Sequence, residues 1–75
     1  MELQKFVTLF SEQFDNTPID SFTPNTRFKE LSEWGSLTAL SIIAMVDEEM
    51  EVRITGSDIR SVETIEELFN LAKSK

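Results

Sequence analysis

The stretch from residue 34 to residue 51 constrains the fold most. Its apolar residues recur at helical spacing and form two separate stripes on one helix. At about 100° per residue, one group of apolar side chains falls on a single side and predicts a buried face: Ala39, Ile42, Ile43, Val46 and Met50. Leu37, Leu40 and Ala44 form a second stripe on a different side, with Met45 at its edge and acids alongside. A second stripe of this kind is either covered by other parts of the chain or is a docking surface.

Length and composition favour one small soluble domain. With 75 residues, of which 40% are hydrophobic, the chain is expected to form a single domain, 1–75, that buries about 60% of its unfolded surface. Such a chain has room for one modest core and none for an enclosed active site. No run approaches the roughly 18 apolar residues of a membrane span, and the N-terminus does not resemble a signal peptide. We therefore expect a cytoplasmic protein without membrane insertion.

The charge balance and the missing residue types exclude several functions. Seven basic and 14 acidic residues give a net charge of −7, which disfavours nucleic acid and anionic lipid and favours basic protein surfaces. Acidity can also serve solubility alone. The chain has neither cysteine nor histidine, so disulfides, thiol catalysis, Cys/His zinc sites and a Ser-His-Asp triad are excluded. We expect no intrinsic enzymatic activity.

The remaining patterns predict an all-α fold. Apolar residues spaced by three and four predict a first helix from about residue 2 to residue 14, followed by an irregular segment at 15–35. Five apolar side chains are expected to hold this segment in place, with a turn or two of helix near 29–33: Ile19, Phe22, Phe28, Leu31 and Trp34. Thr55 and Asp58 predict a capped short helix, and Ser61 is expected to cap the last one. The result is a small bundle of three longer helices plus one short helix, with a long first loop.

Ser36 is the residue most suited to modification. The central helix begins at Gly35 or Ser36, since both are acceptable N-cap residues. In either case Ser36 lies where backbone N–H groups lack intrahelical partners and the helix dipole is positive, so a phosphate there would be stabilised. A plain capping role for this serine is the alternative.

Three short motifs resemble the acyl carrier protein family. Phe28 and Leu31, spaced as Phe-x-x-Leu, precede Gly-Ser-Leu as in the family's approach to its modified serine. Ser36-Leu37 matches the serine and leucine of the family's Asp-Ser-Leu motif, and residues 45–54 resemble the end of its second helix and the isoleucine that follows. The resemblance covers nearly the whole chain, including length, acidity, helix order and the long first loop.

The resemblance implies a cofactor and a function. Members of the family carry 4′-phosphopantetheine, transferred from coenzyme A by a phosphopantetheinyl transferase, on the serine that corresponds to Ser36. The cofactor thiol holds acyl groups as thioesters, the bundle core shelters the acyl chain, and the protein delivers it to acyl-transferring and condensing enzymes. These enzymes serve fatty-acid, polyketide or related biosynthesis. We therefore expect a monomeric, non-catalytic carrier.

The same resemblance implies a docking surface. In the family, residues that match Leu37 and Leu40 contact partner enzymes beside acids that match Asp47 and Glu48. Together with the rest of the apolar stripe, the expected partner-binding residues are Leu37, Leu40, Ala44, Met45, Asp47 and Glu48. The partners are expected to present basic docking surfaces, and each contact between exposed charges is expected to be weak and sensitive to salt.

The chain departs from the family pattern near the serine. Gly35 replaces the motif aspartate, Thr38 and Ser41 replace residues that are usually acidic, and Trp34 stands where a small residue is usual. These departures lead us to expect a specialised carrier with dedicated partners. Two alternatives stay open: a peptidyl or amino-acyl carrier, and an unmodified helical adaptor that kept the fold and lost the cofactor. For Trp34, the sequence permits packing beneath the loop or a place beside the serine.

Overall fold

The fold consists of four helices joined by one long and two short connections. The computed structural model describes all 75 residues. It contains α1 (Leu3–Ser11), α2 (Ser36–Met50), α3 (Gly56–Arg60) and α4 (Ile65–Lys73), with short 3₁₀ turns at Ile19–Ser21 and Phe28–Glu30. The one extended pairing is an isolated antiparallel bridge between Arg27 and Thr64. The predicted all-α bundle of three longer helices and one short helix, with a long first loop, is therefore confirmed.

The core is rich in phenylalanine. All six phenylalanines belong to one cluster of 16 buried apolar residues. Ring centroids lie 5.1 Å apart for Phe6 and Phe69, 5.4 Å for Phe10 and Phe28, and 5.0 Å for Phe14 and Phe22. These contacts join α1 to α4 and to the long loop, and aromatic pairs at such separations add to the free energy gained by burial.

The first helix is shorter than its apolar pattern predicts. It ends at Ser11, whose hydroxyl donates to the Thr8 carbonyl at 2.6 Å. The next backbone amides, of Gln13 and Phe14, bond to carbonyls three residues earlier rather than four. This tighter turn still brings Phe14 into the core, where it is buried. The apolar spacing thus continues past the end of the α-helix.

The long loop is held by aromatic side chains and by backbone bonds. Phe22 and Phe28 are buried, and Leu31 and Trp34 pack half-buried against the core, as predicted. Ile19 is 62% exposed, so the prediction that it anchors the loop is wrong. The backbone carbonyls of residues 24 and 26 instead accept the amides of residues 66 and 65 at 2.9 and 3.3 Å, which ties the loop to the start of α4.

The starts of the two C-terminal helices are set by reciprocal side-chain caps. Thr55 and Asp58 exchange hydrogen bonds of 2.9 and 3.1 Å, which confirms the predicted cap of α3. Thr64 and Glu67 make the same arrangement at α4. The prediction that Ser61 caps the last helix is wrong, because its hydroxyl donates to the Asp58 carbonyl at 2.7 Å and closes α3. None of the four helices combines the length and apolarity needed to span a bilayer.

Candidate functional site

Ser36 is the first residue of α2, the longest helix. Gly35 precedes it as the N-cap, and no side chain caps this helix start. The structure therefore answers the question that the sequence left open: Gly35 is the cap, and Ser36 does not serve as one. Ser36 is exposed and lies at the positive end of the helix dipole. This position suits covalent modification on steric and electrostatic grounds.

A surface cleft lies beside Ser36. Its volume is about 310 Å³, and its lining comes from the long loop, the start of α2 and α3: Lys29, Trp34, Gly35, Ser36, Ala39, Gly56, Ile59 and Arg60. Two of these residues are cationic and none is acidic, although acids outnumber bases two to one in the chain. The three ion pairs of the protein use Arg27 and Lys75, so neither Lys29 nor Arg60 is in direct contact with a carboxylate. The Lys29 ammonium donates to the Arg60 carbonyl at 3.0 Å, and its charge helps to lower the pKa of Glu67. The cleft is locally favourable to an anion.

Trp34 both packs against the core and lines this cleft. Its ring meets that of Phe28 edge-on, with centroids 4.9 Å apart and planes at 64°. The same side chain is half-buried and forms part of the cleft wall next to Ser36. The two roles that the sequence permitted for Trp34 are therefore compatible, and its fluorescence is a natural reporter of this region.

Glu33 fixes the segment that leads into α2. Its carboxylate accepts the amides of Asp15 and Asn16 at 3.0 and 2.9 Å and a hydrogen bond from the Thr17 hydroxyl. The Thr17 hydrogen bond is the largest influence on the pKa of Glu33 and lowers it; desolvation opposes this, and the backbone hydrogen bonds add to the lowering, so the net pKa lies below its ordinary value. Its own carbonyl accepts from the Thr38 hydroxyl at 2.8 Å. Residues at both ends of the long loop are thus joined immediately before Ser36.

Most of the second apolar stripe of α2 is exposed. Leu37 and Leu40 are 81% and 61% exposed, and Ala44, Asp47 and Glu48 are exposed on the same helix. The rest of the protein does not cover this stripe, so the first of the two interpretations of the stripe is wrong. The opposite face is buried as predicted, with Ile42 and Val46 fully enclosed and Ala39, Ile43 and Met50 packed at its margins.

Met45 does not belong to the exposed stripe. Its side chain is 7% exposed and is part of the core cluster. The reason is the position of α1, which packs against the flank of α2 on which Met45 lies. The prediction that Met45 is a surface partner-binding residue is therefore corrected, while the other five predicted partner-binding residues are accessible.

The structure has a second open cavity, between α1 and α2. It measures about 330 Å³, and most of its lining is polar: Leu9, Ala44 and Met45 are its apolar residues, and Glu12, Gln13, Ser41, Glu48 and Glu49 are its polar ones. Both cavities open at the surface, and phenylalanine rings fill the core. The expected shelter for an acyl chain inside the bundle is not a preformed space.

Three functional features were missed from sequence. Lys29 and Arg60 are 31 residues apart, and only the fold brings them to one cleft. Glu33 lies in an irregular segment, where no periodicity marks its role. No local pattern marks it, because the amides that it binds belong to Asp15 and Asn16, at the other end of the loop. Comparisons of the chain with models of known protein families, with curated proteins and with solved structures gave no match.

Proposed function

We propose that this protein is a carrier that bears 4′-phosphopantetheine on Ser36 and holds acyl groups as thioesters on the cofactor thiol. The observation that carries the proposal is the setting of Ser36, an exposed serine on the first turn of the longest helix, at the edge of a cleft. A phosphodiester at this hydroxyl would lie near the positive end of the helix dipole.

The cleft fits the proposed cofactor by its chemistry. Lys29 and Arg60 can attract the phosphate, and Trp34, Ala39 and Ile59 offer apolar surface to the pantetheine chain. When bound, the group supplies the thiol that the cysteine-free chain lacks. The chain's own residues then keep the attachment point exposed and hold the helix start in place.

The exposed face of α2 supports delivery to partner enzymes. Leu37 and Leu40 offer apolar contact, and Asp47 and Glu48 offer charges for basic surfaces. Exposed charge pairs contribute about 0.2–1 kcal/mol each, so such complexes form and dissociate readily. We propose acyl-transferring and condensing enzymes as these partners, together with the transferase that modifies Ser36. The acidic face favours acyl or polyketide cargo over amino-acyl cargo.

The test is the intact mass of the unmodified protein after incubation with coenzyme A and a broad-specificity phosphopantetheinyl transferase. The wild type and a Ser32→Ala control are expected to gain one phosphopantetheine, because Ser32 is an exposed serine outside the helix start. The Ser36→Ala variant is expected to gain none. Modification that persists in Ser36→Ala would contradict the assigned site. An unchanged wild-type mass would favour an adaptor or a strict dedicated transferase.

A further inference from the structure

Two cations reach the cleft beside Ser36 from different segments of the chain. Lys29 lies in the second 3₁₀ turn of the long loop, and Arg60 is the last residue of α3. The Lys29 ammonium donates to the Arg60 backbone carbonyl at 3.0 Å. A Cβ built on Gly56 would lie 3.5 Å from Nη1 of Arg60, so the guanidinium lies beside the start of α3. The two positive charges are therefore at opposite ends of α3, which is about 7.5 Å long.

Both cations have unused hydrogen-bond donors. The Lys29 ammonium makes one of its three possible hydrogen bonds, and no protein acceptor uses the five N–H groups of the Arg60 guanidinium. The Glu67 carboxylate, which senses the Lys29 charge, is occupied as the cap of α4 and does not line the cleft. Like charges on one cleft repel each other, and an anion between them would replace that repulsion by attraction.

We infer that Lys29 and Arg60 form a clamp for the phosphate of the group on Ser36, and that the clamped phosphate fastens α3 to the long loop. The inference rests on the proposed function and adds to it a structural effect of the cofactor on the protein. Lys29 keeps its bond to the Arg60 carbonyl and donates a second hydrogen bond to the phosphate. The guanidinium donates to the same phosphate from the other end of α3.

α3 is the element most sensitive to such a contact. Its five residues are too few for a stable isolated helix, and Ile59 is the one that is buried. Lysines hold its two ends, since Lys29 donates to its last carbonyl and Lys75 pairs with Asp58 at 3.1 Å. A phosphate attached covalently to Ser36 has a high effective concentration in the cleft, so individually weak contacts with it are well populated.

A glutamate at position 36 tests the clamp without any cofactor, because its carboxylate carries one negative charge, as a phosphodiester does. Urea denaturation measures how much Ser36→Glu raises the folding equilibrium constant relative to the neutral Ser36→Gln. This advantage is expected to be about fivefold larger in the otherwise wild-type chain than in a chain with Lys29→Gln and Arg60→Gln. An equal advantage in the two chains would overturn the clamp.

A matched pair of substitutions separates the clamp from the overall charge of the protein. Lys5→Gln combined with Arg53→Gln also removes two cations, which are exposed and form no ion pair. The advantage of glutamate at position 36 is expected to change less than about 1.5-fold in that chain, because salt screens distant charges. A change as large as that caused by Lys29→Gln and Arg60→Gln would overturn the clamp.

Amide hydrogen exchange tests the phosphate itself, in protein whose modification at Ser36 has been established by mass. Exchange of the Ile59 and Ser61 amides, which bond within α3, is expected to slow about threefold on modification. No such slowing is expected in the chain with Lys29→Gln and Arg60→Gln. Unchanged or faster exchange in the modified wild type would overturn the clamp. The carrier proposal is judged by mass and the glutamate comparison by urea denaturation, so failure of one is distinguishable from failure of the other.

Discussion

Gly35 caps α2 but has no side chain to accept a hydrogen bond from the helix, although there is space for a side chain at this position. Its backbone is extended, and a Cβ built at this position meets no atom within 4 Å. We expect Gly35→Asp to raise the free energy of unfolding by about 0.5–1 kcal/mol. The new carboxylate would accept an amide of Leu37 or Thr38 and would interact favourably with the helix dipole.

Urea denaturation measures this change, and Gly35→Ala is the matched control. Alanine restricts the unfolded chain as aspartate does but provides no acceptor, and it is a poor N-cap. Stabilisation by alanine equal to that by aspartate would contradict the capping explanation.

Glu33 is expected to make stability depend on pH. Hydrogen bonds from the Thr17 hydroxyl and the amides of Asp15 and Asn16 hold its pKa below the ordinary value of 4.5. As pH falls below the ordinary pKa, Glu33 takes up a proton more readily in the unfolded chain than in the folded one. The stabilisation from the Glu33 carboxylate is therefore complete above the ordinary pKa and is lost as pH falls through the folded pKa.

Glu33→Gln tests this dependence, because glutamine does not titrate. The variant is expected to be less stable than the wild type at neutral pH and to lose less stability between pH 4.5 and about pH 3. Urea denaturation across this range measures both effects. Asp58 and Glu67 also have lowered pKa values, so some acid sensitivity remains in the variant. Parallel pH curves for the two proteins would contradict the assignment.

Some single residues were predicted correctly from a local rule, although the same kind of rule failed for Ser61. The Thr55–Asp58 cap and the exposed Ser36 follow from a few neighbouring residues. The hydrogen bonds of the Glu33 carboxylate, and the bond from the Lys29 ammonium to the Arg60 backbone carbonyl, depend on contacts between distant segments. Neither the charge of a residue nor the spacing of its neighbours predicts such contacts between distant segments.

At the scale of the helix, the start of α4 gives a direct test of capping. The Thr64 hydroxyl accepts the Glu67 amide at 3.2 Å, and the Glu67 carboxylate accepts the Thr64 amide at 3.1 Å. Thr64→Ala is expected to lower the free energy of unfolding by about 1 kcal/mol. Ser61→Ala, at the position that the sequence favoured, is expected to cost less than about 0.5 kcal/mol, because Ser61 is exposed. A larger loss for Ser61→Ala in thermal or urea denaturation would contradict the structural assignment.

The two stripes of α2 show what helical period can and cannot predict. Period alone placed Ile42 and Val46 inward and put Leu37 and Leu40 on a separate stripe, but it left open whether that stripe is covered; the structure leaves it exposed. It did not place Met45, because burial at the margin of a face depends on where the neighbouring helix packs. The 3₁₀ turns were harder still, since three residues carry no measurable period.

At the scale of the whole molecule, the phenylalanine cluster is expected to dominate stability. A chain of this length has a free energy of unfolding of about 4–11 kcal/mol, and removing a buried phenylalanine ring costs about 3–5 kcal/mol. Phe28 is fully buried and contacts both Phe10 and Trp34. Phe28→Ala is therefore expected to remove most of the stability and to disorder the wall of the Ser36 cleft.

Urea denaturation followed by Trp34 fluorescence measures both consequences. The control is Leu37→Ala, which truncates a side chain that is 81% exposed and is expected to cost less than about 0.5 kcal/mol. Comparable losses in the two variants would contradict the core assignment. The fold class and helix order were predictable from the sequence, because the three longer helices carry an apolar period and the short α3 carries a local cap. The two surface cavities were not, because segments far apart in sequence form them.

The mass of the protein isolated from its own cells tests the central claim most directly. If Ser36 carries the cofactor, intact-mass and fragment spectra will show one phosphopantetheine, with or without an acyl group, on the peptide that contains Ser36. This measurement includes whatever dedicated transferase the cell provides. A native protein that has only its unmodified mass, under conditions in which its own pathway is active, would contradict the carrier function and leave a helical adaptor.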